Sequence, residues 1–199
     1  LSDQFNNLKS EELSFIDVRF DSYSGKHNIS LGDNRNIVVT TGTGSGKTEA
    51  FLVPILNHLF RQKENDELTP GVRALLLYPM NALANDQLKR MHALLKNYPD
   101  ITFGRYTGET EEKQKEAEGK YRKMYKEEPL LNELVSRKQM KEKPPHILLT
   151  NYAMLEYLML RPKDQVFFDG VYANYWRFVV IDEAHTYNGA KGIEMAMLL

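Results

Sequence analysis

The sequence predicts an α/β fold in which a mostly parallel β-sheet is covered by helices on both faces. Two observations support this prediction. Short apolar runs rich in β-branched residues alternate with longer segments of helical period, and the first run leads directly into a glycine-rich segment. The runs that we expect to be strands are 36–40, 74–78, 101–106, 146–150 and 178–182.

The segments between the predicted strands carry apolar stripes of helical period. Spacings of three and four residues place such side chains on one helix face, which we interpret as packing against the core. Pro54 removes one backbone donor and is expected to bend the first helix. The first stripe is Phe51, Leu52, Ile55, Leu56, Leu59 and Phe60, and the second is Ala84, Leu88, Met91 and Leu95.

The composition limits the kinds of function that the chain can have. Its 199 residues suffice for one sizeable core, and 26 Lys+Arg against 27 Asp+Glu exclude a broad polycationic surface. The absence of cysteine excludes disulfides and thiolate metal sites. No apolar run approaches the length of a membrane span, so we expect a cytoplasmic protein with no membrane partner.

The predicted organisation is one lobe preceded by a short segment. We assign residues 36–199 to the lobe and no role to residues 1–35. Within the lobe, residues 109–143 hold nine acidic and ten basic side chains and few apolar ones. Mixed charges of this density are typical of solvated helices with local ion pairs, so we interpret 109–143 as a charged helical insertion at the surface.

The glycine-rich segment after the first predicted strand indicates a triphosphate site. In "TGTGSGKTE", residues 41–49, the glycines let successive backbone N–H groups turn toward one anion, and a helix beginning near Lys47 adds its positive dipole end. We expect Lys47 to reach the outer phosphates and the Thr48 hydroxyl to bind Mg²⁺. The predicted nucleotide-binding residues are Thr43, Gly44, Ser45, Gly46, Lys47, Thr48 and Glu49.

An acidic pair ends the last predicted strand. Asp182 and Glu183 follow the apolar run "FVVI", and ligands of an open parallel sheet bind at this edge. Asp182 is predicted to hold the magnesium together with Thr48, and Glu183 to orient and deprotonate the attacking water. Lys47, Asp182 and Glu183 are therefore the predicted catalytic residues. The alternative for the pair is an acidic turn without a ligand.

These motifs resemble those of one family. Residues 41–49 are similar to motif I, and "DEAH" at 182–185 to motif II, of the superfamily 2 DEAD/DEAH-box helicases. Segments 78–87, 107–110 and 147–152 resemble its nucleic-acid motifs, and "TNYAMLEYLMLRP" with "DEAHTYNGAKG" is most similar to the Lhr/YprA-like branch of DNA helicases. The resemblance covers about residues 36–190 and implies a RecA-like P-loop NTPase lobe that uses ATP and Mg²⁺.

The resemblance also implies how the lobe binds a strand. Such segments grip the sugar-phosphate backbone with main-chain amides, hydroxyls and helix N-termini, which needs placed donors more than a basic field. The implied partners are nucleic acid, DNA rather than RNA, and a second RecA-like lobe, to which His185 would couple the nucleotide site. Because Asn, Gly and Thr are also common in caps and turns, a structural role for each stays open. The residues implied to contact the strand are Pro79, Asn81, Thr107, Gly108, Thr110, Thr150 and Asn151.

Three departures from the family pattern shape the expectation. Thr41 stands where motif I usually has Gly or Ala. Only Gln4 precedes the loop, although the family usually has an adenine-reading glutamine there. The family's coupling motif and second lobe do not follow before Leu199. We expect an ATP hydrolase whose second lobe is absent here, so that these 199 residues alone have weak activity or none. The alternatives are a P-loop kinase and a non-hydrolysing nucleotide-dependent scaffold.

Overall fold

The computed structural model of the protein describes the backbone of residues 47–198 and the side chains of residues 48–198. The predicted strand at 36–40, the loop residues Thr43, Gly44, Ser45 and Gly46, and the segment 1–35 lie outside the described residues. The chain divides into two compact units, Leu1–Leu68 and Thr69–Leu199. Each is described by itself.

The first unit contains helix α1, Lys47–Glu64. The helix begins at Lys47, where the sequence predicts it, and places Glu49 in the first turn, beside the positive end of the helix dipole. Pro54 lies inside the helix. The buried side chains include the centre of the predicted apolar stripe, Leu52, Ile55, Leu56 and Leu59.

The second unit is built on a five-stranded sheet with the order β3-β2-β4-β1-β5, in which each described pairing is parallel. Strand β1 matches its predicted bounds and β2 is shorter than predicted. Strand β4 is shifted by one residue at both ends, and β5 ends one residue earlier than predicted. Strand β3 was not predicted. The strands are β1 (Ala74–Tyr78), β2 (Phe103–Arg105), β3 (Glu133–Leu134), β4 (Ile147–Asn151) and β5 (Phe178–Ile181).

Helices cover both faces of this sheet, which confirms the predicted α/β fold. Leu75 and Leu77 of β1 pack in a buried cluster with Leu155 and Leu158. Because strand side chains alternate, Tyr78 points to the other face. There the buried stripe of the second helix packs against β1, β2 and β4. The helices are α2 (Asn81–Leu95), α3 (Gln114–Tyr125), α4 (Arg137–Glu142), α5 (Tyr152–Leu160) and α6 (Gly189–Leu198), with 3₁₀ turns at Pro162–Phe167, Gly170–Tyr175 and Ala184–Thr186. No helix in the described range is long and apolar enough to cross a membrane.

The charged segment 109–143 contributes α3, β3 and α4 and is part of the packed structure. β3 pairs with β2 and forms one edge of the described sheet. The buried Asn132 amide donates to the carbonyls of Leu95, Tyr98 and Ile101 at 3.2, 3.0 and 2.9 Å. The Glu133 carboxylate, also buried, lies 2.8 Å from His92 Nδ1 and accepts from the Tyr121 hydroxyl at 3.0 Å. The segment thus buries polar residues that its charge pattern predicts to be exposed.

Candidate nucleotide and nucleic-acid site

The carboxyl ends of the parallel strands lie along one edge of the sheet, and the predicted site residues of the second unit follow these ends. The register pairs Tyr78 with Asn151, and Leu77 with Ile181, so Asp182 comes next beside Tyr78. Paired residues of parallel strands point to the same face. Tyr78, Asn151 and Asp182 therefore share the face that α2 covers.

The acidic pair occupies a tight turn directly after β5. The Asp182 N–H donates to the Leu77 carbonyl at 3.0 Å, and the Asp182 carboxylate accepts from the Glu183 N–H at 2.9 Å. Glu183 has φ +50, in the left-handed region that costs a non-glycine residue energy. The Thr186 N–H and hydroxyl both donate to the Glu183 carbonyl at 2.8 Å and close the turn. A strained acidic residue at a strand end suggests a functional constraint on that position.

His185 follows this pair on the surface. Its side chain is 78% exposed, and Nδ1 lies 3.3 Å from a carboxylate oxygen of Glu183. The exposure leaves the imidazole accessible to a strand or to another lobe. The coupling role of His185 stays a prediction.

Two tyrosines that the sequence did not single out lie close to Asp182. The hydroxyls of Tyr78 and Tyr187 are buried and have no hydrogen-bond partner among the described residues. Burial raises the pKa of both phenols, and the negative charge of Asp182 raises each pKa further. Tyr78 is the last residue of an apolar strand and the first residue of motif segment 78–87, and this position is the signal that would have identified it.

The described residues of the predicted phosphate loop are at the start of α1. Lys47 is the first residue of that helix, and Thr48 and Glu49 lie in its first turn. These residues belong to the first unit, whereas Asp182 and Glu183 belong to the second. Their convergence around one nucleotide stays a prediction.

The structure brings three predicted strand-binding segments together through side chains. The Asn151 side-chain amide at the end of β4 donates to the side-chain oxygen Oδ1 of Asn81 in α2 at 2.7 Å. The Asn81 amide in turn donates to the Glu109 carboxylate, in the loop after β2, at 3.1 Å. Arg105 lies 3.5 Å from the same carboxylate and donates to the Asn85 side chain of α2. Glu109 and Arg105 were missed in the sequence, although an acid inside a segment expected to face phosphate is a detectable signal.

The three threonines that are predicted to contact the strand are buried within the protein. The Thr150 hydroxyl is buried and donates to the Tyr106 carbonyl at 2.6 Å. The Thr110 hydroxyl donates to the Arg105 carbonyl at 2.9 Å and accepts from the Thr107 N–H at 3.0 Å. The Thr107 hydroxyl is buried and lacks a partner within the described part of the chain. For these threonines, contact with a strand stays a prediction.

The more accessible members of the predicted set are Gly108, which is exposed, and Pro79, Asn81 and Asn151, which are partly exposed. Asn151 also caps α5, because its side-chain oxygen accepts from the Met154 N–H at 2.8 Å. What this edge can offer a ligand is mainly amide and backbone hydrogen-bonding groups, with little net charge. Such groups suit sugar-phosphate contacts that do not read base sequence.

A cavity of about 50 Å³ lies beside this network, lined in part by Arg105, Glu109, Lys120, Tyr125 and Glu133. Pockets for drug-sized ligands and cofactors have volumes of roughly 300–1,000 Å³. The cavity is therefore too small for a nucleotide.

Comparison with known proteins identifies the group to which this arrangement belongs. The family model of the DEAD/DEAH box helicases matches residues 27–199. The chain belongs to the DEAD/DEAH box helicase family. The predicted superfamily is thereby confirmed, and the chain is similar, at 28% identity, to relatives named as Lhr-Core and YprA helicases.

Individual relatives of this helicase chain are much longer than it is. Druantia protein DruE of Escherichia coli (strain UMEA 4076-1) is 29% identical over 84% of this chain and 14% of DruE. The ATP-dependent helicase Lhr-Core of Methanothermobacter thermautotrophicus is 28% identical over 90% of this chain and 19% of Lhr-Core. The crystal structure of the DUF1998 helicase MrfA is similar with a TM-score of 0.55 and 28% identity, over 79% of this chain and 20% of MrfA. The chain spans 14–20% of the length of these three proteins.

Proposed function

We propose that this chain is the ATP-binding RecA-like lobe of an ATP-dependent helicase or translocase that acts on nucleic acid, DNA rather than RNA, in the cytoplasm. The observation that carries the proposal is the chain of hydrogen bonds from Asn151 through Asn81 to Glu109. It joins three segments that are predicted to bind the strand, along the sheet edge that also bears Asp182 and Glu183. A motor must couple its nucleotide site to its strand site, because ATP must change the affinity for the strand.

In the proposed nucleotide site, the phosphate loop and Lys47 bind the triphosphate of ATP. The Thr48 hydroxyl and the Asp182 carboxylate are oxygen donors of the kind that Mg²⁺ prefers, so this donor set fits the metal. A bound Mg²⁺ would neutralise charge on the β- and γ-phosphates. Glu183 accepts the proton of the attacking water, and a second lobe elsewhere in a longer parent protein completes the site.

In the proposed strand site, Gly108 and Asn81 provide hydrogen-bond donors for the sugar-phosphate backbone, together with the rest of the predicted set. The formal net charge of −1 is compatible with this mode of binding, because placed donors replace a basic field. The resemblance of the sequence motifs to the Lhr/YprA-like branch of DNA helicases supports DNA as the substrate.

The test uses the parent protein with ATP and single strands of matched DNA and RNA sequence. Lys47→Ala should weaken ATP binding at least about tenfold by calorimetry, because one phosphate charge loses its partner. Glu183→Gln should keep ATP binding and reduce strand-stimulated phosphate release by about 100-fold or more, because a general base contributes about 10²–10⁴ in rate. Glu156→Gln, an exposed acid on α5, is the matched control and should behave as wild type.

Three outcomes would contradict the proposal. Undiminished phosphate release by Glu183→Gln would remove the water-activating role, and transfer of phosphate to a small acceptor would favour a kinase. ATP binding without any hydrolysis in the parent would favour a scaffold. Tighter binding of RNA than of DNA by fluorescence anisotropy would overturn the substrate preference.

A further inference from the structure

We propose that Lys120 and Arg137, which belong to the charged segment 109–143, are positioning residues that hold the strand-binding loop, residues 107–110, in its binding conformation. The inference rests on the proposed function, since it concerns how the same loop meets a strand. It gives the segment a role that its charge pattern does not indicate.

The contacts place cations on three consecutive carbonyls of the loop. The Arg137 guanidinium, at the start of α4, donates to the carbonyls of Thr107 and Gly108 at 3.0 and 3.3 Å. The Lys120 ammonium of α3 donates to the next carbonyl, that of Glu109, at 2.7 Å. Hydrogen bonds from charged donors are about twice as strong as neutral ones, so the two cations restrain the loop through its carbonyls.

Arg137 is itself held in place. Its guanidinium lies over the ring of buried Tyr106, 5.2 Å from the centroid. Its backbone N–H donates to the Glu111 carbonyl at 2.9 Å. A capping box between Ser136 and Gln139 defines the start of α4. Lys120 is similarly restrained, because its ammonium also bonds the Glu111 carboxylate at 2.9 Å.

Because peptide bonds are planar, the contacts of the loop carbonyls determine the direction in which the loop N–H groups point. No described peptide bond is cis, and in a trans peptide the C=O and the following N–H point in opposite directions. With the carbonyls of Thr107 and Gly108 bound by Arg137, the N–H groups of Gly108 and Glu109 point away from it. The Thr110 N–H instead turns back to the Thr107 carbonyl at 3.1 Å. Successive N–H groups on one side of a loop are able to form a concave anion site, and Gly108 is exposed.

The opposing explanation is that Arg137 contacts a phosphate directly. The two explanations differ in salt dependence, because each phosphate neutralised by a protein cation contributes about 0.7 to the slope of log K against log salt for a single strand. A positioning residue changes affinity without changing that slope.

The experiment measures the affinity of the parent protein for a fluorescent single-stranded oligonucleotide by anisotropy at several salt concentrations. Arg137→Ala should bind about tenfold more weakly, with the wild-type salt slope. Arg137→Lys should recover most of the affinity, because an ammonium can still donate to a carbonyl. Lys120→Met should also bind more weakly at an unchanged slope. Lys138→Ala, an exposed neighbour on α4 only loosely paired with Glu142 at 3.8 Å, removes the same charge and should match wild type.

A second measurement follows amide hydrogen exchange in the loop without nucleic acid. Arg137→Ala should increase exchange at Gly108 and Glu109, and ATP affinity should stay at the wild-type value. Wild-type affinity of Arg137→Ala, or a salt slope lower by about 0.7, would overturn the positioning role. If Arg137→Ala does not fold, Arg137→Lys and Lys120→Met decide the question by the same criteria.

The two arms separate this inference from the proposed function. If the wild-type parent binds no oligonucleotide, the proposed function fails, while the exchange data still show whether the two cations hold the loop. If wild type binds and neither cation affects affinity or exchange, the inference fails and the proposed function stands.

Discussion

The amino ends of the parallel strands in the second unit form one edge of the sheet, the amino edge, and their carboxyl ends form the carboxyl edge. The two edges differ in whether their buried polar side chains have hydrogen-bond partners. At the amino edge, Arg73, Asn132 and His146 are buried, and each has backbone hydrogen-bond partners. At the carboxyl edge, the buried hydroxyls of Tyr78 and Thr107 have no partner among the residues described. A buried polar group without a partner costs about 1–3 kcal/mol, so the carboxyl edge is the less optimised of the two. Such local costs are typical of binding sites and are offset elsewhere in a fold.

Arg73 and His146 at the amino edge show what buried polar side chains with hydrogen-bond partners contribute. His146 Nδ1 accepts from the Thr102 N–H at 2.9 Å, and Nε2 lies 3.1 Å from the Thr69 carbonyl. Arg73 donates to the Gly71 carbonyl at 2.7 Å and to the Thr69 carbonyl. Burial, and then the charge of Arg73, lower the pKa of His146 to about 4. The imidazole is thus neutral and serves to connect β4 to the chain segments that precede β1 and β2.

The largest effect that we predict is the loss of the Asn132 amide. Asn132→Ala removes the donor for three carbonyls and should lower the free energy of unfolding by about 4 kcal/mol, measured by urea denaturation. The control Asn97→Ala changes an exposed asparagine and should lower it by less than about 0.5 kcal/mol. Equal effects of the two variants would mean that the amino edge is no more dependent on its hydrogen bonds than the surface is.

The second prediction concerns pH and the same edge. Because the pKa of His146 is about 4 in the folded chain and 6.5 as its ordinary value, the unfolded chain binds more protons between these values. Stability from this group is complete above pH 6.5 and is lost as the pH falls toward 4, by about 3 kcal/mol. Urea denaturation at pH 7 and pH 4 should show this extra loss in wild type and not in His146→Gln. His185→Gln, which changes an exposed histidine, should retain the wild-type pH dependence; a flat wild-type difference would contradict the neutral, buried imidazole.

How well the sequence predicted each part depends on where its determinants lie. Strand β1 and the α2 stripe follow from local runs of apolar residues, so their bounds or burial could be predicted. Strand β3 is two residues long and lies in a charged segment. Its position depends on Asn132 reaching carbonyls that lie 31 to 37 residues earlier in the chain, which no local pattern records.

The candidate site shows the same division. Motif resemblance selected Asn81 and Asn151, which the structure joins by a hydrogen bond. It did not indicate Glu109 as the partner of Asn81, or Arg137 as a donor to the loop carbonyls, because those contacts depend on tertiary geometry. Propensity favoured caps and turns for Asn and Thr, and Asn151 does cap α5. The same side chain can therefore cap a helix, as its propensity predicts, and belong to the set that the motifs select for strand binding.

The third prediction tests the carboxyl edge through Asn81. Asn81→Ala breaks the link between Asn151 and Glu109, and strand affinity should fall about tenfold by anisotropy in the parent protein. Because Asn81 is partly exposed and water can replace its amide, the free energy of unfolding should fall by less than about 1 kcal/mol. A stability loss like that of Asn132→Ala, with unchanged strand affinity, would show that Asn81 is structural and that the two edges do not differ in this respect.

The smallest effect is expected at Tyr78. Here, removing a polar group should leave the free energy of unfolding unchanged or raise it, and not lower it as at the amino edge. Tyr78→Phe removes a buried hydroxyl that has no partner in the described residues, so no hydrogen bond is lost and one desolvated group disappears. The free energy of unfolding should stay the same or rise by up to about 1 kcal/mol in urea denaturation, whereas Asn132→Ala lowers it.

Phe178→Leu, a size change on β5 without a polar group, controls for packing at the neighbouring strand. A loss of more than about 1 kcal/mol for Tyr78→Phe would mean that the hydroxyl makes a stabilising contact in solution, for instance through water to Asp182. In that case the carboxyl edge would be as well satisfied as the amino edge, and the difference between them would lie in exposure alone.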